Sequence, residues 1–398
     1  MNEPAPRVLH VIYRLAVGGL ENGLVNLVNR LPAGAWRHTI VSLTDIDADF
    51  ARRIRGKDVE LFALHKGPGH ALSVYPQLWQ LMRRLRPSIV HTRNLAALEI
   101  TPLAWAAGVP ARVHGEHGRD AFDPDGASVR RQRIRRLYRP FVTRYVALSS
   151  DLQTYLHHSI HVPPYRIDTI CNGVDTSLFA PRGERASIPG CPFDERKHRL
   201  VGTVGRLDPV KDAANLAHAF VATLKRTPAL RDTLRLVIVG EGPERSRVES
   251  ILQEGAVRNL AWLPGERNDI PAVMQGLDVF VLPSLGEGVS NTILEAMSTG
   301  LPVVATRVGA NAELVADGVT GRVVAHSDSE ALAQAIAAYI ADPALARAHG
   351  RAGRLRVEQR FSLERMIDRY HALYLALVNG AMTAEHDPDG AAGPRTSP

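Results

Sequence analysis

Val8-Leu9-His10-Val11-Ile12, then Gly18-Gly19, then Leu20, Leu24, Leu27, Val28 and Leu31: the opening of the chain passes from a buried strand to an amphipathic helix across a glycine break. Period-2 and all-apolar runs mark strands, and apolar residues three and four apart mark helices. The same alternation recurs. Residues 39–43, 59–63, 89–91, 111–114 and 145–148 read as strands, with helical stretches such as 74–86 and 95–107 between them. Strands alternating with helices predict a parallel sheet covered on both faces.

The pattern restarts after 181–199, which is rich in Pro, Gly and charge and reads as a linker. Residues 200–204, 234–239, 260–263, 279–282 and 302–306 are the next strands. The reading is α/β, two doubly wound Rossmann-like domains, one over 1–180 and one over 200–362. Ligands of such sheets bind beyond the carboxyl ends of the strands, and a cleft between the halves is the default active site. Leu363, Ile367, Tyr370, Leu373, Tyr374 and Leu377 form one stripe, so 363–380 reads as a closing helix, and its return toward the N-terminal domain is a further expectation. Residues 381–398 read as a disordered tail.

At 398 residues, the chain is long enough for two such domains, and 45% apolar with 22% charged residues is ordinary globular composition. No run approaches 18 apolar residues, so no membrane-spanning helix is expected. Residues 1–7 lack the apolar core of a secretory leader. Cys171 and Cys191 alone build neither a disulfide framework nor a thiolate zinc site, and point to a reducing, cytoplasmic setting. The net charge is +7, and residues 1–190 carry 25 Lys and Arg against 16 Asp and Glu, leaving −2 on the remainder. A basic half suits nucleic acid, an anionic membrane or a phosphorylated ligand.

Two stretches carry chemistry. Gly205-Arg206-Leu207-Asp208-Pro209-Val210-Lys211 follows a strand and leads into a helix starting near Asp212. It sets a guanidinium and an ammonium where helix N–H groups already favour an anion; two solvated surface cations are the plainer alternative. The second stretch, Gly286-Glu287-Gly288-Val289-Ser290-Asn291-Thr292-Ile293-Leu294-Glu295, is a glycine-bearing turn entering a helix near Asn291. Glu287 lies in the turn and Glu295 one helical turn inside, as acceptors for sugar or ribose hydroxyls. An ordinary helix start explains Glu287 but not the flanking glycines.

Together, Arg206 and Lys211 followed about eighty residues later by Glu287 and Glu295 resemble the retaining glycosyltransferases of family 4, which have the GT-B fold. "VGEGPE" (239–244), "LPGERNDI" (263–270), "EAMSTGLPVVATRVGANAELV" (295–315), "CNGVDTSLF" (171–179) and "FSLERMIDRYHALY" (361–374) agree, so the resemblance covers nearly the whole chain. "VGGLENGLVNLVN" (17–29), "HTRNLAALE" (91–99) and "HGEHGRD" (114–120) are similar to the sugar transferases associated with exopolysaccharide and exosortase (PEP-CTERM) systems.

The resemblance implies a nucleotide-diphosphate sugar, UDP- or GDP-linked, as donor, with no cofactor and no metal. Arg206 and Lys211 bind and stabilise the leaving diphosphate in a metal's place. Glu287 contacts the donor sugar, Gly288, Val289 and Ser290 supply backbone contacts, and Glu295 accepts from the ribose. Gly205 belongs to the same phosphate turn, and the loop with Pro264, Gly265 and Glu266 lies near the base. Gly18 and Gly19 approach the donor phosphate and the acceptor. His117 matches the family histidine beside the donor sugar, and His114 is its structural neighbour. Many relatives have Gly-Gly-Asn where this chain has Gly309-Ala310-Asn311, and a methyl group restricts positive φ at Ala310.

Arg130, Arg131, Arg133, Arg135, Arg136 and Arg139 crowd beside Ile134, Leu137, Tyr138 and Phe141 at helical spacing. A basic amphipathic helix of this kind suits an anionic membrane, and the resemblance implies a lipid-linked or saccharide acceptor, with the protein peripheral on the inner face of the cytoplasmic membrane. The alternative packs its apolar side inward and leaves the arginines solvated. Nucleic acid is disfavoured, since aromatics are 6% and no reader motif is present. A dehydrogenase needs Gly-x-Gly-x-x-Gly, and neither Gly18-Gly19 with Gly23 nor Gly240-Glu241-Gly242 with Arg245 fits. A sugar-nucleotide epimerase of the same architecture and a non-catalytic carbohydrate-binding protein are the other rivals.

Overall fold

The computed structural model describes residues 4–56, 59–118, 123, 126–183 and 186–385. The chain divides into two compact units. The first takes residues up to 148, then 152–170 and everything from Ile367 on; the second takes 149–151 and Cys171–Met366.

The first unit holds β1 (Arg7–Ile12), β2 (Arg37–Ser42), β3 (Val59–Ala63), β4 (Ile89–Arg93), β5 (Ala111–Glu116), β6 (Arg144–Ala147) and β7 (Ile167–Thr169), ordered β3-β2-β1-β4-β5-β6-β7. Every pairing is parallel. Its strands are nearly continuous apolar runs because both faces are covered. Leu24, Val25 and Val28 of helix Gly19–Arg30 close one face, and Leu78, Leu81 and Met82 of helix Tyr75–Leu85 close the other. The helix expected over 95–107 is two short ones, Asn94–Leu98 and Thr101–Ala106, the second restarted by Pro102 in its first turn.

The second unit holds β8 (Arg199–Val204), β9 (Leu234–Val239), β10 (Ala261–Gly265), β11 (Val279–Leu282), β12 (Val303–Thr306) and β13 (Gly321–Val324), ordered β10-β9-β8-β11-β12-β13 and again all parallel. In each sheet the chain winds first to one side and then to the other, so strand order reverses at β1/β4 and at β8/β11. Those are the points where crevices open at the carboxyl ends. Strands β7 and β13, of three and four residues, are too short to show a period in the sequence.

Two expected boundaries move. The described part of 181–199 is no loose connector: Ile188 is buried in the second unit, where the absent side chain of Gly276 makes room for it, and Cys191 and Phe193 pack beside that core. The last helix runs Leu363–Glu385, past the expected stop at 380, because residues 381–385 contain no Gly or Pro to end it. Residues 386–398 of the expected tail lie outside the described residues.

Candidate active site

The carboxyl edge of the second sheet is a set of interlocked turns. Gly205–Lys211 follows β8, and its backbone is gripped by the turn after β9. Leu207 N–H donates to Glu241 O (2.8 Å), and Glu244 N–H donates to Leu207 O (2.9 Å). Gly240 has φ +134°, and a Cβ there would collide with Gly205 O, so this turn needs glycine. The glycines of "VGEGPE" therefore brace the Arg206 loop. Leu285 N–H donates to Val210 O (2.8 Å), which ties the turn after β11 to the same loop.

Both cations are held by carboxylates. Arg206 is three-quarters exposed, with Nη2 3.0 Å from Asp208 Oδ2. Lys211 Nζ donates to Glu287 Oε1 at 2.6 Å, and Ser284 Oγ donates to the same oxygen at 2.6 Å. The Glu287 carboxylate is only 7% exposed, so this pair sits in a partly desolvated pocket. Ser290 caps helix Asn291–Ser298 by accepting from Ile293 N–H, and Val289 packs on the core.

The turn after β12 presses on this loop. Gly309 has φ +49°, a Cβ on it would collide with Glu287 O, and Ala310 N–H donates to Gly288 O (3.1 Å). Ala310 itself has φ −82° and is buried. The expected restriction at Ala310 therefore does not arise, because Gly309 alone takes the left-handed backbone. Gly286 and Gly288 are not left-handed either.

Glu295 is half-buried on the same helix, and burial pushes its carboxyl up to about 8. At the end of β10, Gly265 has φ +86° and its carbonyl accepts from Gly240 N–H (2.9 Å). Pro264 is half-buried and Glu266 exposed. Arg267 is paired with Asp269 and stacked over Trp262, 5.3 Å from the ring centre.

In the first unit the corresponding edge gathers the turns after β1, β4 and β5. Gly18 is extended, at φ −173°, and the Glu21 carboxylate lies where its Cβ would be; Gly19 opens the following helix. His117 follows β5, with its backbone N–H donating to Asn94 Oδ1 (2.8 Å). Both His117 ring nitrogens are buried and unpartnered among the described residues. Burial, then the charge of Arg93, holds this imidazole well below its ordinary range and so neutral. His114 is fully buried, with Nδ1 2.9 Å from Thr92 Oγ1.

The arginine cluster does not form one basic face. Arg135 of helix Val129–Tyr138 is 3% exposed and forks onto the buried Glu116, with Nε–Oε1 2.7 Å and Nη2–Oε2 3.3 Å. Arg136 donates to Ser159 O and Arg139 to His161 O. Arg130 and Arg133 are exposed and Arg131 is half-buried. The apolar side is not all inward either: Val129 and Leu137 are exposed. The expected segregation is partly inverted because β5 presents an acid to this helix.

The turn cations and acids were legible from local spacing. Asp208 and Ser284, which hold Arg206 and Glu287, were not singled out, although both stand within three residues of their partners. Arg93 was also missed; the signal for it is a buried strand, Ile89–Arg93, that ends in three polar residues.

A family model described as Glycosyl transferases group 1 matches residues 198–342, and one described as Glycosyltransferase Family 4 matches residues 17–178. Among curated relatives, the UDP-Gal:alpha-D-GlcNAc-diphosphoundecaprenol alpha-1,3-galactosyltransferase of Escherichia coli is 29% identical over 311 residues, 76% of this chain and 78% of that protein. The lipopolysaccharide core mannosyltransferase LpcC of Rhizobium leguminosarum bv. viciae is 35% identical over 211 residues, 52% of this chain and 59% of its own. Among solved structures, Anabaena HepE in complex with UDP superposes with a TM-score of 0.79 at 21% identity, covering 93% of this chain and all of that one. The two-domain fold is therefore GT-B, as the sequence implied.

Proposed function

The chain belongs to the family 4 glycosyltransferases, its halves matching the family 4 and group 1 models, and from that premise we propose a retaining, metal-independent transfer. A sugar passes from a nucleoside diphosphate to a saccharide or lipid-linked acceptor. The observation that carries this reading is the pair of cations at one sheet edge, Arg206 on Asp208 and Lys211 on Glu287, with Ser284 fixing the carboxylate.

The bond from the anomeric carbon to the diphosphate oxygen breaks, and Arg206 and Lys211 neutralise the charge that develops there. Such preorganised charge is the largest single lever on acyl and phosphoryl leaving groups alike. The acceptor hydroxyl arrives on the face the phosphate leaves and gives that phosphate its proton, so no protein base is used. Glu287 accepts from donor-sugar hydroxyls, and the backbone of Gly288 to Ser290 supplies further contacts. His117 holds the donor sugar, the Gly18-Gly19 turn approaches the donor phosphate and the acceptor, and the 263–267 loop serves the base. HepE was solved with UDP, and the E. coli relative is named for UDP-Gal, which favours a uridine donor; a guanosine donor is the alternative.

Thermal shift with uridine, guanosine and adenosine diphosphate sugars tests the donor assignment. A preferred sugar at a hundred times its Kd stabilises the fold by about 2.7 kcal/mol. A flat panel favours a non-catalytic protein, and conversion of the sugar without acceptor favours an epimerase. Glu295 adds a pH signature. Its carboxyl titrates near 8, and ribose hydroxyls donating to it favour the anion and lower that value. Binding therefore releases a proton, and affinity rises by at most about tenfold per pH unit up to pH 8, then levels. Calorimetry in buffers of different ionisation enthalpy checks this, and Glu295→Gln should flatten the profile.

Likeness to the E. coli transferase, named for a diphosphoundecaprenol acceptor, favours a lipid-linked acceptor, and the stretches 17–29, 91–99 and 114–120 support a role in exopolysaccharide synthesis beside the cytoplasmic membrane. Among the described residues no helix is long and apolar enough to cross a membrane. The surface candidate is smaller than the six arginines: Arg130 and Arg133 with exposed Val129 and Leu137, near exposed Trp105, which packs edge-on against Phe141. Each arginine near an anionic surface contributes about 1 kcal/mol. Arg130→Ser with Arg133→Ser is expected to weaken co-sedimentation with anionic vesicles by about tenfold or more; equal binding to neutral vesicles would reject the patch.

A further inference from the structure

Gly115 stands inside β5, where glycine weakens a strand and often marks a close approach by another group. Its backbone is not left-handed, so no turn explains it. Its neighbours do. A Cβ at Gly115 would stand 2.7 Å from His117 Nε2 and 3.3 Å from His91 Nε2. His91 and Arg93, two apart on β4, share a face of the sheet, and Arg93 pairs in register with Gly115. The His117 imidazole folds back onto that face and lies over the bare Cα of Gly115.

The surroundings of this ring are fixed. His91 Nδ1 accepts from the Tyr374 phenol (2.7 Å) and lies 3.4 Å from Arg93 Nη2, so His91 is held in place beside it. The backbone of His117 is held by Asn94, which follows β4 at φ +57°. Left-handed backbone is uncommon outside glycine, and asparagine is among the residues that adopt it most readily. There Asn94 Oδ1 accepts from the His117 N–H at 2.8 Å, which ties the turn after β4 to the turn after β5.

Neither contact uses the polar atoms of the imidazole. Both ring nitrogens are without partners among the described residues. A neutral imidazole has one donor and one acceptor, and this one keeps both for a ligand. Burial, then Arg93 and His114, favour the neutral ring, and Glu116 opposes them less strongly.

We infer that Gly115 and Asn94 are positioning residues for His117: Gly115 gives the imidazole its floor, and Asn94 fixes the backbone that carries it. The ring then meets the donor sugar in one orientation. This rests on the reading of His117 as the residue that holds that sugar.

Gly115→Ala is the direct probe, because the nearest atom it meets is the far end of a side chain that can move. Asn94→Gly keeps the left-handed turn and removes only the acceptor. In both variants UDP or GDP, whichever binds, should bind as in the wild type. Release of that nucleotide from UDP-galactose, UDP-glucose or GDP-mannose should fall about tenfold or more in kcat/KM. Neither variant should add to the loss in His117→Ala, because the residues act as one unit. By NMR of histidine-labelled protein, the His117 ring in Gly115→Ala should leave its buried setting and titrate closer to the ordinary histidine range.

An unmoved His117 signal in Gly115→Ala overturns the inference, and this arm needs no substrate. So does undiminished turnover in both variants while His117→Ala is impaired, or a loss of UDP binding as large as the loss of turnover. Full activity in His117→Ala overturns the reading of His117 itself. Asn94→Gly carries the test if Gly115→Ala does not fold.

Discussion

Lys211→Ala lowers kcat/KM for transfer by a hundredfold or more while the protein stays folded. The reason lies in what Lys211 touches. Its ammonium sits 2.6 Å from Glu287 Oε1 in a turn braced by Gly240 and Gly309, so its charge is fixed before substrate arrives. Losing one preorganised donor to developing charge costs about 10²–10³ in rate. Arg206→Ala should have an effect of the same size, and because Arg206 is three-quarters exposed its loss should leave the fold intact.

Lys211→Ala also leaves the Glu287 carboxylate, 7% exposed, with Ser284 as its remaining partner. That costs about 1.5–3 kcal/mol of stability. Adding Glu287→Gln removes the orphaned charge, so the double variant should regain stability and stay inactive. Activity that returns with stability would mean that Lys211 only holds the fold. Thermal melts run beside initial rates separate the two.

Arg135→Met is expected to cost about 3–5 kcal/mol, because it strands a buried carboxylate. Burial by itself raises Glu116, but Arg135 and His114 outweigh it and bring the carboxyl to about 2. With an unfolded value near 4.5, the pair's contribution is fully present above pH 4.5 and is lost as pH falls through 2. Without Arg135 burial raises the stranded carboxyl, so the deficit of Arg135→Met should be largest at neutral pH, begin to shrink above pH 4.5 and go on shrinking down to pH 2. Replacing both partners by Met should be close to neutral at pH 7. Melts across that range test this. A deficit below about 1 kcal/mol, or one that ignores pH, would show the arginine to be a surface group after all.

What the sequence could reveal followed how far apart the partners stand. Arg206, Lys211, Glu287 and Glu295 lie in turns whose strand, glycine and helix are contiguous, so spacing placed them at a carboxyl edge. Arg135 and Arg93 depend on remote partners. Glu116 lies 19 residues from Arg135, and His10 lies 83 from Arg93. Tyr374, which fixes His91, comes from 283 residues away. Helical spacing set Ile134, Leu137, Tyr138 and Phe141 on one side and the arginines beside them, a basic amphipathic helix suited to a membrane or, alternatively, packed with its apolar side inward, but a buried acid from β5 drew Arg135 in and left Leu137 exposed. Ala310 shows the reverse case: a neighbour, Gly309, absorbs the backbone conformation that Ala310 was expected to need.

The central claim is that the sugar moves to the acceptor on the face its diphosphate leaves. The direct measurement is the anomeric configuration of the product, read by NMR coupling constants after turnover of the preferred nucleotide sugar with its acceptor. The glycoside should keep the donor's configuration. A product of inverted configuration would contradict the account.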